Sequence, residues 1–522
     1  MKVRTALDQA AAHIEGKFED QPLVEASLQH SLGVSYHGLG LYSESQRHTE
    51  RALALRRKYL GLYAPETLTT TTLLGTILLD ASEFDKAEPL LRSAYETSRK
   101  VLGESAPGTL SAEQQLASVW MQLGRTTDAE PLLKHNLAMR RRELPRNDAA
   151  LNEAIAQLAA LYEASERLAE AETLARESVE LALKIHGPEH PVTLFSQYVL
   201  ASTLQSENKL EQAERIYLEV LETRKRVLGL DHPDTLDTMY NLACLYQLMG
   251  RYEEAIRLLN THLAATKLKF GEENPRILNP FYSLGYAYIQ IGKFAEAEPF
   301  LNKVLETDRR LNGENHQGSL ALLAIQRLGI LYRYQGRYAA AEPLARGAAA
   351  ELQKMFGLDH SYAVSALTSW GVLLQDEGKD MEAETTLSKA LELNRKNLTP
   401  GYSTTRSCLF ALSRLRLKQG RDADAEKLLR EAIEITNEHG YPIWDRFDGQ
   451  SLLGAALLGQ GKYAEAEPLL ISGYEGLQEL SPAISVEANL PEAGERIVRL
   501  YTAWGQPEKA AEWRQRLQDP EK

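Results

Sequence analysis

Spacing constrains this chain more than composition does. An alanine recurs at Ala87, Ala129, Ala171, Ala213, Ala255, Ala297, Ala341, Ala383, Ala425, Ala466 and Ala510, and Ser45 holds the same place at the head of the series. The steps are 42 residues, apart from 44 at the seventh, 41 at the tenth and 44 at the eleventh. Three residues before each stands an alignment residue, aromatic at Tyr42, Phe84, Tyr252, Phe294, Tyr338 and Tyr463, and two before that a Gly or a polar substitute. A fixed period identifies a repeat array, which buries apolar surface between neighbouring units and needs no central core.

One period reads as two helices. Over 228–235 the chain carries Gly229, Pro233 and polar residues, the composition of a loop, with Asp234 or Thr235 placed to cap the first helix. Leu236, Met239, Leu242, Ala243 and Tyr246 then recur at helical spacing until Gly250, and Ala255, Ile256, Leu259 and Leu263 mark a second helix. Nine residues before the alignment residue the chain is small in eleven of twelve units: Gly33, Gly75, Ala117, Ala159, Ala201, Ala243, Gly285, Gly329, Gly371, Ser413 and Gly454, with Val498 the exception. That column is expected to face the alanine column and let the paired helices approach closely. Pro89, Pro131, Pro299, Pro343 and Pro468 follow Ala-Glu and are expected in about the first turn of their helices, where a missing N–H is harmless. At the head of the chain Val3, Leu7, Ala10, Ala11 and Ile14 form one stripe. They predict a capping helix over 1–19 that covers the open face of an array filling 20–522.

Composition bounds the function. Hydrophobic residues make up 43% and charged residues 25%, enough apolar surface to fold. The net charge of -13 weighs against nucleic acid, whose phosphates call for a basic stripe, and against an anionic membrane surface. Two cysteines, Cys244 and Cys408, give neither a disulfide framework nor a metal knuckle. Residues 1–20 lack a secretory apolar run and no stretch reaches the ~20 apolar residues of a bilayer span, so the expectation is a cytoplasmic chain without membrane insertion.

The column of small residues, the Gly turn, the aromatic and the Ala together resemble the tetratricopeptide repeat. The 42-residue form, with Leu228-Gly229-Leu230-Asp231-His232-Pro233-Asp234-Thr235 in its loop and Gly250-Arg251-Tyr252-Glu253-Glu254-Ala255 at its turn, is similar to the repeats of kinesin light chains. His190-Pro191 and Thr193 echo the loop, as do Asn274-Pro275. The resemblance implies an all-α fold: a right-handed α-solenoid of about twelve helix–turn–helix repeats. No heptad coiled coil accompanies the repeats, so motor transport is not carried over. The opening, Ala6 to Phe18 and Gln21 to Ala26, looks like the segment leading into the repeats of some bacterial serine/threonine kinases, yet no Gly-rich strand, His-Arg-Asp or Asp-Phe-Gly of a kinase is present.

By analogy with that family, the groove is lined by first-helix positions 15, 12, 8 and 5 before the alignment residue. The second of these columns gives Tyr198, Tyr240 and Tyr282 in consecutive units and then Gln326, with Phe195 and Tyr286 beside them and Arg327 and Arg333 following. Tyrosine next to arginine is the composition of a partner-binding hot spot. The ordinary alternative is that the rings pack between repeats. Asn241 has no asparagine equivalents at its column, so no backbone-gripping ladder exists. His186 and His190 are separated by Gly187-Pro188, off one helical face, and no metal site, cofactor site or catalytic set is found. The reading is a non-enzymatic scaffold that holds a peptide segment or protein partner. The alternatives are a module serving a serine/threonine kinase, which an adjacent kinase gene would favour, and a self-assembling structural protein, which light scattering would reveal.

Overall fold

The computed structural model describes every residue except 1, 15, 16, 19, 144–147, 273, 314–317, 359, 398–402, 440–442, 481–489 and 519–522. Among the described residues it forms 25 α-helices and one 3-10 turn, with no strand. The chain divides into two compact units, Met1–Thr238 and Met239–Lys522.

In the first unit a leading helix, Lys2–Ile14, is followed by the pairs Pro22–Gly38 with Tyr42–Leu60, Pro65–Asp80 with Phe84–Leu102, Pro107–Gln122 with Thr126–Glu143, Ala149–Ala164 with Leu168–His186, and Pro191–Ser206 with Leu210–Val227. The helix Pro233–Leu248 contains the division. In the second unit it leads to Tyr252–Phe270, and the pairs continue as Leu278–Gln290 with Phe294–Asn312, Ser319–Tyr334 with Tyr338–Phe356, and Ser361–Asp376 with Asp380–Asn397. Ser403–Lys418 with Asp422–His439, Ile443–Gly459 with Tyr463–Leu480, and Leu490–Ala503 with Pro507–Gln518 complete it. Helices placed by periodicity thus appear in every unit.

The alanine column is core throughout, from Ala87 at 0% exposure to Ala510 at 1%. Ser45 joins it by donating its hydroxyl to the Gly33 carbonyl at 2.7 Å. The small column lies against the backbone of the alanine column, a Cβ at Gly454 or Gly329 standing 3.2 or 3.6 Å from the Ala466 or Ala341 carbonyl oxygen, and also against a side chain beyond it. A Cβ built on Gly285 would stand 2.6 Å from Cγ and Cδ2 of Leu301, and one on Gly75 2.5 Å from Cγ of Leu91. The small residue therefore sits over the side chain one helical turn beyond the alanine, and that side chain is usually a leucine. At Gly329 the opposing residue is Ala345, and the gap opens to ordinary contact, 3.4 Å to its nitrogen and 3.6 Å to its Cβ.

Turn chemistry follows from the left-handed position two before the alignment residue. Gly250 occupies it at φ 75, and Ser82, Glu166 and Asn208 take the same conformation at φ 65, 59 and 60. Two local readings change. The proline helices begin at the alignment residue, so Pro89 is the sixth residue of Phe84–Leu102 and lies inside it. There it removes the donor that the Asp85 carbonyl would receive. The cap of a first helix is the loop histidine: Nδ1 of His232 accepts from Asp234 N at 3.2 Å, and His190 and His360 accept from Val192 N and Tyr362 N at 3.3 and 3.2 Å. Thr193 closes the same loop by donating to the Gly187 carbonyl at 2.7 Å.

The leading helix packs on the first repeat. Ile14 is buried with Leu32 and Tyr36, and Leu7 and Ala11 are partly buried against them, while Ala10 faces solvent and the Val3 side chain lies outside the described residues. Tyr36 donates to Asp8 at 2.8 Å and Arg4 to Glu44 at 3.1 Å. A contact between distant residues also falls within this unit: Nε2 of His232 reaches the Gly38 carbonyl at 3.3 Å. Three buried arginines recur at intervals of two repeats, Arg56, Arg140 and Arg224, with Ser98 and Ala182 between them. Arg56 donates to the Glu66 carbonyl and Thr70 hydroxyl, and Arg224 likewise to the Asp234 carbonyl and Thr238 hydroxyl, in each case on the next repeat. Arg140 instead donates to Asn136 and Gln114 of its own repeat.

Candidate functional site

Of the eight candidate residues, Phe195 and Tyr198 lie in the first unit and the other six in the second. Phe195 is 36% exposed. Tyr198 is half-buried, edge-on to Tyr217 at 6.0 Å, with the Arg224 guanidinium 5.3 Å from its ring centre. Burial makes Arg224 less basic than an ordinary arginine. Nearby, Glu163 accepts from Ser202 and Ser206 at 2.6 and 3.0 Å, and burial raises its pKa.

In the second unit the candidate side chains link successive first helices. Ser283 donates to the Tyr240 hydroxyl at 3.2 Å, and Gln247 donates to the Ser283 carbonyl at 2.9 Å. Burial, and then the neighbouring Cys244, raise the Tyr240 pKa, and burial pushes the Cys244 thiol up to about 11. One repeat on, Arg327 Nε donates to the Tyr282 hydroxyl at 3.1 Å and its guanidinium lies 4.7 Å from the centre of the Tyr286 ring. Tyr286 in turn meets Tyr252 edge-on at 6.4 Å. Tyr282, Tyr286 and Arg327 are half-buried, so part of each stays accessible.

Two candidates are drawn further inward. Gln326 is 3% exposed and donates to Ser365 and Ser369 at 3.2 and 2.9 Å, which makes it a tie between repeats. Arg333 is paired with Asp376 at 3.7 Å and lies over the Tyr334 ring at 4.4 Å, so its charge is locally balanced. The four groove columns contribute no carboxylate between Met239 and Leu417, in a chain with 72 of them, and they include Arg333 and Arg414. Arg414 donates to Asp448 at 2.5 Å.

Sequence columns missed Tyr362, which stands eighteen residues before Asp380 and outside all four. It is 43% exposed, and its ring packs against Phe356 and His360 at 5.7 and 5.0 Å. Burial, and then the charge of Tyr282, raise its pKa. The only signal for it was the capping histidine two residues before. His186 and His190 stack at 4.2 Å across the loop that separates them in sequence, with His190 serving as a helix cap.

The tetratricopeptide repeat description matches residues 24–100, 71–142, 148–226, 200–267, 273–350 and 362–438, and a second description of the same repeat matches 449–470. The chain belongs to the tetratricopeptide repeat family. Among solved structures, a putative kinesin light chain of Podosopora anserina with nearly identical TPR-like repeats is 25% identical over 40% of this chain and 98% of its own, at a TM-score of 0.32. BtubC (BKLC) of P. vanneervenii is 22% identical over 45% of this chain and 94% of its own, at 0.37. A tetratricopeptide repeat protein of Parabacteroides merdae is 20% identical over 59% and 98%, at 0.42. No curated protein matches the sequence. Tetratricopeptide repeats point to a protein-interaction scaffold. Among the described residues no helix is long and apolar enough to cross a membrane.

Proposed function

We propose that this tetratricopeptide repeat protein is a non-enzymatic scaffold whose second unit holds an extended segment of a protein partner. The segment lies along the first helices, on the face that carries Tyr282, Tyr286 and Arg327. The observation that supports this most is the Tyr282–Arg327–Tyr286 cluster. Tyrosine presents a large apolar face and a hydroxyl at low entropic cost, and a guanidinium beside it adds the positive charge that favours a carboxylate. The absence of carboxylates from the surrounding columns favours a partner segment with an acidic side chain near one end and disfavours a cationic one. In this reading Tyr240 and Gln326 support the face from behind, Arg333 balances Asp376, and Tyr362 extends the face by one repeat. Phe195 and Tyr198 form a separate aromatic contact on the first unit.

The test is selection of displayed random peptides of about twelve residues on the purified protein, followed by affinity measurement on variants. Tyr282→Ala with Tyr286→Ala should weaken the selected peptides by at least ~2 kcal/mol, a hot-spot loss. Arg327→Gln should weaken mainly those bearing an acid. Undiminished binding with a lowered melting temperature would make the tyrosines packing residues only.

A further inference from the structure

A row of cations in the first unit is hidden by the net charge of the chain. Sixteen residues after each alignment residue the column reads Lys58, Lys100, Arg142, Lys184 and Arg226, one per repeat, and all five are exposed. Cations in a last helical turn offset the macrodipole, which accounts for their presence. Arg142 and Arg226 are engaged by Glu143 and Glu189 at 2.8 and 2.9 Å. Among the described residues no carboxylate is paired with Lys58, Lys100 or Lys184.

The dipole does not account for the apolar side chains set among these lysines. Tyr59 and Val101, each next to its lysine, are both 48% exposed, and Leu62 and Tyr63 are 59% and 67% exposed. Gly61, at φ 86, turns the chain so that Leu62 and Tyr63 lie at the loop tip. The position of Tyr63 is taken by Ser105, Glu189 and Asp231 in other loops of the unit, so the tyrosine is not a requirement of the repeat, whereas the leucine before it recurs at Leu230. The His232–Gly38 contact involves the opposite, turn end of the first repeat. The loop end is separated from it by a helix of 17 residues, about 25 Å, and that contact does not cover it.

We propose that the loop edge of the first two repeats docks on an anionic lipid bilayer surface. Lys58 and Lys100 stand on the second helices of consecutive repeats, with Pro65–Asp80 packed between those helices, so each ammonium can meet a separate headgroup phosphate. Tyr59, Leu62 and Tyr63 then enter the boundary between headgroups and acyl chains, where amphipathic rings and leucine are favoured. A nucleic acid would leave Leu62 and Val101 without an apolar partner. An acidic peptide would find a protruding tip in place of a groove. The acidic remainder of the chain opposes approach, so attachment is short-ranged and falls with salt.

The test uses the full chain and sedimentation with two kinds of vesicle, phosphatidylcholine alone and phosphatidylcholine with about one third phosphatidylglycerol. The expected result is at least about fivefold more protein on the anionic vesicles, reversed by high salt. Two variants, Lys58→Glu with Lys100→Glu and Leu62→Ser with Tyr63→Ser, should each remove most of that difference with the helical circular dichroism unchanged. Equal sedimentation with both vesicles, or variants that bind as well as the parent, would overturn the proposal. So would binding of a DNA duplex that the lysine variant abolishes while vesicles bind nothing, an outcome that assigns the edge to nucleic acid. Peptide selection, read on the Tyr282, Tyr286 and Arg327 variants, reports independently of all these results.

Discussion

Glycine to alanine in the small column should have opposite signs in adjacent repeats. At Gly285 the new Cβ would meet Leu301 at 2.6 Å, and Leu301 is 0% exposed in the core. Overpacking of this kind costs about 1–3 kcal/mol, against a gain of about 1 kcal/mol from replacing glycine inside a helix. The net for Gly285→Ala is destabilisation by up to about 2 kcal/mol. At Gly329 the nearest atoms, on Ala345 and Ala341, stand at 3.4–3.6 Å, so the propensity gain is unopposed and Gly329→Ala should stabilise by roughly 0.5–1 kcal/mol. Urea unfolding followed by circular dichroism gives the signs. Native-state hydrogen exchange gives the location, which should be the altered repeat and its neighbours. Combining Gly285→Ala with Leu301→Ala recreates the arrangement at 329 and 345, so it should be milder than the sum of the two single changes. Equal shifts of Gly285→Ala and Gly329→Ala in one direction would refute the pairing.

Acid should weaken the second unit through His262. Burial first, and then Arg276, lowers its pKa from 6.5 to about 4. The unfolded chain therefore takes up the proton first: stability is full above about pH 6.5 and declines as pH falls toward 4, by on the order of 3 kcal/mol in all. His262→Gln should flatten that part of the pH–stability curve, and an unchanged curve would remove His262 as its source. Deleting residues 1–17 should lower the melting temperature, because re-exposing Leu32 and Tyr36, 6% and 1% exposed in the intact chain, costs roughly 2–4 kcal/mol in the first repeat. An unchanged melting temperature would show that the leading helix is not a cap.

The repeat was legible because its columns are set by backbone geometry that every unit shares. A left-handed turn, a close helix approach and a buried alanine each restrict one position to few residue types, and recurrence makes the restriction visible. The side chain that meets the small column was not legible. Which side chain crosses the interface depends on helix rotation, and Leu301 and Ala297 are both apolar residues on the same stripe. The candidate face was legible only as composition. Tyr282 and Arg327 do meet, but Gln326 is buried beneath Ser365 and Ser369, and Arg333 is matched by Asp376. Those partners belong to the next repeat, and although Ser365 shares the first groove column with Phe195, a column does not show which side chains meet across repeats. The cap was misplaced because Asp and Thr are commoner caps than histidine, although the His-Pro pair was in plain view.

The buried arginines decide where this array can be divided. Shortening the chain after its first or fifth repeat would strip Arg56 or Arg224 of the carbonyl and hydroxyl that receive it, and would open to water the face on which the next repeat packs. A division after the third repeat leaves Arg140 its acceptors, because Asn136 and Gln114 travel with it. The first unit is thus not a string of interchangeable beads. Some of its joints are self-contained and others are shared, and fragments intended for expression or transplantation should begin and end at the self-contained ones.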